Sequence, residues 1–292
     1  MASLEVGTTH LEYVDYGSGA PVVFVHGGLS DLRIWEFQTE AFAKQYRAVA
    51  YSFRHYHPNP PVATGSDITH EVLVDDLALL LGKLDLAPAH LVGQSTGAFV
   101  SLLLARDQPE LVRSLTLAEP PALPLLDLDV PPKPTQILRL LLRDPATAVA
   151  VIKFGAKGLG PTARAFERGD DEKGLRAFVT AVIGKETVAG WTDEEFQRAR
   201  DNLGAFKAVL AAGMPAFGEK HARTIDIPTL LITGEKSAAV LHRITDKLEQ
   251  LIPDTERVDM PGVSHQMFRD DPNAFNAAVL RFLDTHNRQD SA

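Results

Sequence analysis

The sequence predicts an α/β protein with a mostly parallel sheet of about eight strands, flanked by helices and interrupted by a helical cap insertion. Short apolar runs alternate with amphipathic segments, which is the pattern of βαβ units. Runs such as Pro21-Val22-Val23-Phe24-Val25 are continuously apolar, which indicates strands buried on both faces of a parallel sheet. The alternation stops between residues 120 and 225, where helical patterns follow one another without a convincing buried strand.

This break divides the chain into two predicted units. We expect a core domain formed by residues 1–119 and 226–292, and a helical cap or lid formed by residues 120–225. The chain has 292 residues, 45% of them hydrophobic, which is enough apolar material for a sizeable core. The insertion is rich in Leu, Ala, Val and Phe, which predicts a mainly apolar wall for a pocket beneath it.

Most predicted elements are bounded by residues that favour turns or begin helices. Strands are expected at 4–6, 10–16, 21–25, 47–52, 90–92, 112–118, 227–233 and 255–260. Helices are expected at 35–45, 69–84, from the turn at 97 as far as 107, 135–142, 145–154, 161–167, 171–183, 193–212, around 241–251, and 272–286. Asp75 and Asp76 are expected on the solvated side of their helix or as early partners of its dipole, and residues 287–292 are expected to form a frayed tail.

Composition also narrows the class of function. The net charge of -9 argues against nucleic acid or an anionic membrane as the main partner. The absence of Cys excludes disulfides, thiolate metal sites and a cysteine nucleophile. No apolar run is long enough to span a bilayer, and the N-terminus shows no pattern of a signal peptide. We expect a cytoplasmic protein with a small-molecule substrate and no cofactor, while its oligomeric state stays open.

The chemistry is organised around Gly93-Gln94-Ser95-Thr96-Gly97, which lies between an apolar run and a segment rich in Ala and Leu. G-x-S-x-G at a strand-to-helix junction is the pattern of a nucleophile elbow. The flanking positions must be Gly because the backbone of a sharp turn approaches its neighbours closely. The helix N-terminus beyond the turn favours a developing anion. Alone, the motif equally fits a serine in a helix-capping turn.

Two further motifs accompany the elbow. His26-Gly27-Gly28 follows an earlier strand, and Gly262-Val263-Ser264-His265 precedes the last helix. In this order and context, the three motifs resemble those of the α/β-hydrolase fold superfamily. The resemblance covers the whole chain, and residues 120–225 match the position of that family's cap. It implies a serine hydrolase whose site lies at the carboxyl edge of the sheet.

The residue types fit this chemistry without the family. A serine needs a base to become a nucleophile at neutral pH. His265 has the best context, because a histidine in a loop after a late strand can reach Ser95 across the carboxyl edge of the sheet. The N–H of Thr96 is expected to be one oxyanion donor, and the second should come from Gly28 or Leu29.

The carboxylate that would orient His265 has several candidates. In many relatives it is an Asp three residues after the Gly that ends the penultimate strand, and Ser237 stands there in this chain. Glu119 is preferred, because a carboxylate at the end of a buried strand is costly unless it is paired. Glu235, Asp226 and the absence of a triad acid stay open as alternatives. The alternative interpretation of Glu119 is an ordinary cap group for the insertion.

The loop at 53–61 departs from the Gly-rich turn expected there. Arg54, His55 and His57 in this loop are predicted to bind substrate or to anchor the cap. No carboxylate cluster accompanies the two histidines, so no metal site is predicted. His26 is expected to shape the oxyanion loop. Three histidines in predicted helices are expected to be structural or solvated, namely His70, His242 and His286.

The preferred hypothesis is a serine hydrolase that cleaves a carboxylic ester or lactone of a small to medium hydrophobic substrate through an acyl-enzyme. Its Ser-His-Glu arrangement is similar to that proposed for mycotoxin lactone hydrolases of the superfamily. A C–C bond hydrolase and a cofactor-free perhydrolase are alternatives, because both keep a serine. A ligand receptor with little turnover is the alternative of another class. Epoxide hydrolases fit less well, because they use Asp at the elbow where this chain has Ser95.

Overall fold

The structure is a computed structural model, and it describes residues 1–62 and 68–287. Within these residues the chain forms eight strands: β1 Ala2–Val6, β2 Thr9–Gly17, β3 Pro21–Val25, β4 Arg47–Tyr51, β5 Ala89–Gln94, β6 Val112–Ala118, β7 Thr229–Gly234 and β8 Thr255–Met260. They form one sheet in the order β1-β2-β4-β3-β5-β6-β7-β8. The pairs β1–β2 and β2–β4 are antiparallel, and all the others are parallel. The predicted fold class is confirmed.

The helices that follow or connect these strands are α1 Glu36–Phe42, α2 His70–Lys83, α3 Thr96–Asp107, α4 Pro134–Arg143, α5 Pro145–Phe154, α6 Gly160–Glu167, α7 Asp171–Ile183, α8 Lys185–Ala189, α9 Asp193–Asp201, α10 Leu203–Ala212, α11 Glu219–Arg223, α12 Ala239–Leu251, α13 Met267–Asp270 and α14 Pro272–Asn287. Of the predicted tail, only Asn287 lies among the described residues, as the end of α14. No helix within the described ranges combines the length and apolarity needed to cross a bilayer.

Alternating side chains of the central strands supply two separate hydrophobic cores. Val23 and Val25 of β3 face one core, which also contains apolar residues of α2, α3 and α12. Val22 and Phe24 of the same strand face the other core, together with α1 and α14. Because side chains on a strand point alternately to its two faces, burial on both faces requires the continuous apolar run seen in the sequence.

Helices α4 to α11 all lie between β6 and β7, and this described stretch contains no strand. The division into a core of residues 1–119 and 226–292 and a cap of residues 120–225 stays a prediction. The helix expected at 193–212 is instead two helices, α9 and α10, which are separated at Asn202. The fully buried side chain of Asn202 bonds the carbonyl of Arg198 in α9 and also Asp31 and His57 outside both helices.

The prediction that Asp76 is solvated is wrong. Its side chain is 1% exposed, and both carboxylate oxygens accept hydrogen bonds from the guanidinium of Arg54, at 2.5 and 2.6 Å. Asp76 lies three residues after Leu73 and four before Leu80, so it falls on the same buried stripe of α2. Burial raises the pKa of Asp76, and the bond from Arg54 opposes that rise.

A buried histidine in β5 leads to a prediction about pH and stability. His90 is fully buried, with Nδ1 2.7 Å from Ser114 Oγ, and burial lowers its pKa to about 3 from 6.5. The unfolded chain therefore binds this proton more readily than the folded one. The contribution of His90 to the free energy of unfolding is complete above about pH 6.5. As pH falls from there towards about 3, the contribution of His90 to the free energy of unfolding falls by about 1.4 kcal/mol per pH unit.

We expect His90→Gln to flatten this fall, as measured by urea unfolding at a series of pH values between neutral and acid. The same substitution at the exposed His10 is the control and should leave the wild-type dependence in place. Equal slopes for His90→Gln and the wild type would contradict the prediction.

Candidate active site

Ser95 lies in the turn between β5 and α3, where its φ of 51° is in the left-handed region. Its N–H donates to the carbonyl of Ala118 at 2.9 Å, and its own carbonyl accepts the N–H of Phe99 at 3.0 Å. A non-glycine residue holds this strained conformation only where its surroundings fix it. The turn leaves the side chain of Ser95 partly exposed at the N-terminus of an otherwise buried helix.

The glycines on each side of the turn are required by close backbone approach. A Cβ added to Gly93 would lie 2.6 Å from the backbone N of Ala98. A Cβ added to Gly97 would overlap the carbonyl oxygens of Val25 and His26. Both contacts are to backbone, which cannot move aside as a flexible side chain would. The spacing of the motif therefore follows from packing of the turn against β3 and α3.

Glu119 follows β6 directly, and its fully buried carboxylate has both oxygens occupied. Oε2 lies 2.5 Å from Nδ1 of His265, and Oε1 accepts the N–H of Gly234 at 2.9 Å. A carboxylate accepts but does not donate, so Nδ1 carries the hydrogen and Nε2 of a neutral ring stays an acceptor. The backbone of Glu119 has a φ of 51°, so the residue that makes these two bonds is held in the strained left-handed region.

The other candidate carboxylates lie elsewhere. Glu235 is exposed and accepts the N–H of Gly262 at 2.6 Å, while Asp226 is exposed before β7. Ser237, at the position where relatives carry an Asp, has a buried hydroxyl without a hydrogen-bond partner among the described residues. Of the three carboxylates considered from the sequence, the structure brings Glu119 to His265.

The loop that carries His265 is fixed on both sides by contacts that sequence reasoning missed. The side-chain amide of Gln94 donates to the carbonyl of His265 at 3.2 Å. Asp270 accepts from both the N–H and the hydroxyl of Ser264, each at 2.6 Å. Gln94 lies inside the elbow motif, so its position was visible in the sequence, but its long-range bond was not.

The Gly-rich turn after β3 passes close to the elbow. A Cβ added to Gly28 would lie 3.0 Å from Oγ1 of Thr96, so the expected oxyanion donors are neighbours. His26 holds this turn in place: Nδ1 donates to the carbonyl of Gly27 at 2.8 Å and Nε2 accepts the N–H of Phe53 at 2.9 Å. Burial lowers the pKa of His26 to about 4, which keeps the ring neutral at neutral pH.

Two cavities meet at Ser95 and His265. The larger has a volume of about 100 Å³ and is lined mostly by apolar side chains of the insertion and α12, including Phe154, Phe178, Phe206, Leu241 and Ile244. The smaller, of about 60 Å³, is lined by Gly28 and Leu29 together with Trp191 and Gln266. Among the contacts of the described residues there is no direct bond from Ser95 Oγ to His265 Nε2. Such bonds are often long without substrate and tighten when it binds.

The loop residues predicted to bind substrate lie away from these two cavities. Within the described part of the chain, Arg54, His55 and His57 are absent from both linings. Arg54 pairs with Asp76, and Nδ1 of His55 bonds the carbonyl of Pro60 at 3.1 Å. The backbone of His57 bonds the insertion, as described next. The geometry favours anchoring over substrate contact for this loop.

Asn202 links the insertion to two loops of the sheet. Its amide nitrogen donates to Oδ2 of Asp31 at 2.7 Å, and its amide oxygen accepts the N–H of His57 at 2.8 Å. Asp31 also binds the guanidinium of Arg33, which reaches Asp201 at 3.0 Å. These bonds, with that of Asn202 to Asp31, hold the pKa of Asp31 below its usual range despite its burial.

Comparisons with known proteins agree with this architecture. The family model described as alpha/beta hydrolase fold matches residues 20–272. The non-heme chloroperoxidase CPO-A1 of Kitasatospora aureofaciens is 29% identical over 280 residues, which cover 93% of this chain and 94% of that protein. The chain spans about half of the bifunctional epoxide hydrolase 2 of Sus scrofa, with 24% identity over 306 residues that cover 95% of this chain and 54% of that protein.

A solved structure of a thermophilic esterase from Thermogutta terrifontis shares the fold. It superposes with a TM-score of 0.75 at 19% identity, over 98% of this chain and 99% of that one. At this level of identity the likeness concerns the fold alone.

The Asn202 contacts lead to a prediction for stability. Asn202→Ala leaves the N–H of His57 without its partner and removes one of the two hydrogen bonds to Oδ2 of Asp31, which keeps its bond from Arg33; this costs about 1–3 kcal/mol. We expect a loss of that size in the free energy of unfolding, measured by urea denaturation. Asn273→Ala, at an exposed position of α14, is the control and should change it by less than about 0.5 kcal/mol. Equal losses for the two variants would contradict the anchoring role.

Proposed function

The chain belongs to the α/β-hydrolase fold family, and on that basis we propose that it is a serine hydrolase that cleaves a carboxylic ester or lactone of a small to medium hydrophobic substrate. The single observation that carries the proposal is the bond from His265 to the buried carboxylate of Glu119, with Ser95 and His265 together in the wall of the larger cavity. An oriented imidazole beside a strained, partly exposed serine is the arrangement that acyl transfer requires.

In the proposed first step, Ser95 Oγ attacks the carbonyl carbon while its proton passes to His265 Nε2. The N–H of Thr96, with that of Gly28 or Leu29, stabilises the oxyanion of the tetrahedral intermediate. The carbon–oxygen bond of the ester then breaks, and the leaving alkoxide takes the proton from His265. Glu119 stabilises the imidazolium that exists between these two transfers.

In the second step a water molecule gives a proton to His265 and attacks the acyl carbon. The acid leaves, and Ser95 Oγ regains its proton. For a lactone the leaving oxygen belongs to the acyl group itself, so the product is a single hydroxy acid. The apolar lining of the larger cavity favours a hydrophobic substrate. Residues 120–225 would act as the cap that excludes water from it.

A second candidate is favoured by the relative named a non-heme chloroperoxidase. This candidate is a cofactor-free perhydrolase, in which hydrogen peroxide would replace water in the second step, so that the acyl group would leave as a peracid. The same serine, base and oxyanion donors would serve both reactions. Comparing peracid formation with hydrolysis on one acyl donor separates the two candidates.

We expect Ser95→Ala to abolish hydrolysis of p-nitrophenyl esters and to prevent covalent labelling by a fluorophosphonate. The reason is that alanine at position 95 has no hydroxyl to act as the nucleophile. Peptide mapping of the labelled wild-type protein checks the site of attachment. Tight binding of a hydrophobic ligand without turnover by the wild type would instead support a receptor.

We expect Glu119→Gln to lower kcat roughly a hundred- to ten-thousand-fold, because an amide in place of the acceptor carboxylate favours the wrong tautomer of His265. Glu235→Gln is the matched control, the same change at an exposed carboxylate, and should keep kcat within about twofold. Steady-state kinetics on a p-nitrophenyl ester, with thermal unfolding to check folding, measure both. Loss of activity in Glu235→Gln alone would assign the acid to Glu235.

A further inference from the structure

One histidine in the larger cavity has no part in the reaction described above. His70 begins α2 and lines this cavity together with Ser95 and His265, with only 6% of the residue exposed. Its ring packs edge-on against Phe99, with 5.5 Å between the ring centroids. Phe99 follows Ser95 by one turn of α3, about 6 Å along the helix axis. His70 therefore lies in the cavity wall beside the helix that follows Ser95.

The hydrogen bonding of this ring leaves one atom without a partner. Nδ1 lies 3.2 Å from the carbonyl oxygen of Gly213, and since that oxygen can only accept, Nδ1 carries the hydrogen. Gly213 has a φ of +80°, so glycine suits the backbone that presents this carbonyl. Burial lowers the pKa of His70, and the ring is neutral at neutral pH. Its Nε2 is then an acceptor, with no partner among residues 1–62 and 68–287.

The surroundings make this acceptor unusual. Apart from His70, the polar side chains that line the cavity are those of Ser95, Thr96 and His265, all at the reaction centre. The rest of the lining is Pro, Leu, Val, Phe, Ile, Met and Gly. An acceptor without a protein partner in an apolar cavity gains a hydrogen bond when a bound ligand presents a donor to it.

Resting on the proposed function, we propose that His70 determines specificity. Its Nε2 accepts a hydrogen bond from a hydroxyl group on the otherwise apolar part of the ester or lactone. The substrate class is thus a hydroxylated hydrophobic ester or lactone. A carboxylate or ketone at the same place cannot donate to Nε2, and a methyl group leaves it unpaired. An apolar pocket alone discriminates weakly between a methyl and a hydroxyl group, whereas a buried acceptor adds a preference for the donor.

The test uses two series of esters of increasing chain length. The first consists of p-nitrophenyl esters with a terminal hydroxyl on the acyl chain, and the second consists of alkyl esters with a terminal hydroxyl on the alcohol chain, whose hydrolysis is followed by the acid released. Each is compared with the isosteric ester that ends in methyl. For wild type we expect the ratio of kcat/KM, hydroxyl over methyl, to rise about tenfold at one chain length in one series. In His70→Phe that peak should vanish, while the methyl esters are still hydrolysed.

The matched control is His10→Phe, the same substitution at an exposed histidine of β2, which should keep the peak. If His70→Phe does not fold, His70→Leu replaces it, with thermal unfolding as the check. A merely structural role of His70 would lower kcat/KM for both members of each pair equally, and that result overturns the proposal. So does a wild-type enzyme with no hydroxyl preference at any length in either series.

A binding measurement separates this proposal from the proposed function. Calorimetric titration of Ser95→Ala with the hydroxy acid and alcohol portions of these esters, and with their methyl isosteres, needs no turnover. We expect Ser95→Ala to bind the hydroxylated ligand about tenfold more tightly than its methyl isostere. Loss of this preference in the Ser95→Ala, His70→Phe double variant supports the role of His70 even if no ester is cleaved. Ester hydrolysis without any such preference leaves the serine hydrolase standing and removes the role of His70.

Discussion

The buried carboxylate of Glu119 is the constraint on which the arrangement of the site depends. A charge in this environment requires partners for both oxygens, and it finds them in the ring of His265 and the N–H of Gly234. These two bonds tie together the ends of β6 and β7 and the loop after β8. The N–H of Ser95 joins the same edge by donating to Ala118, the last residue of β6. Placement of the serine and of the imidazole therefore follows from one local set of bonds.

The same residue stands where the chain leaves the sheet. Glu119 is the first residue after β6, and the helices α4 to α11 follow before the chain returns in β7. Asn202, between α9 and α10 and late in that stretch, bonds Asp31 and His57, which belong to the loops after β3 and β4. The helical stretch is thus bonded at its start and again late in its course to loops around the candidate site. These attachments help to fix the position of the helices that form the apolar wall of the larger cavity.

The sheet could be predicted from the sequence because a strand that is buried on both faces requires a continuous apolar run. The bounds of β6 and β8 agree with the expected ones. Ser95 and His265 were identifiable because each follows a strand in a glycine-containing turn. What the sequence could not supply depends on contacts between distant segments. Asp76 was misplaced because its partner Arg54 is 22 residues away. His70 was grouped with structural histidines because nothing local indicates that its ring borders a cavity.

The end of β7 contributes only a main-chain group to the carboxylate, the N–H of Gly234, and this has an evolutionary consequence. Because the ends of β6 and β7 are adjacent, an acid on either strand can approach the same imidazole nitrogen. In the proposed triad Glu119 supplies the carboxylate from the end of β6, so the turn after Gly234 need not supply a side chain, and Ser237 stands there. Mutational drift at that turn should then be limited by backbone geometry and packing. We expect position 234 to remain glycine, because a Cβ there would overlap the carbonyl of Ser264.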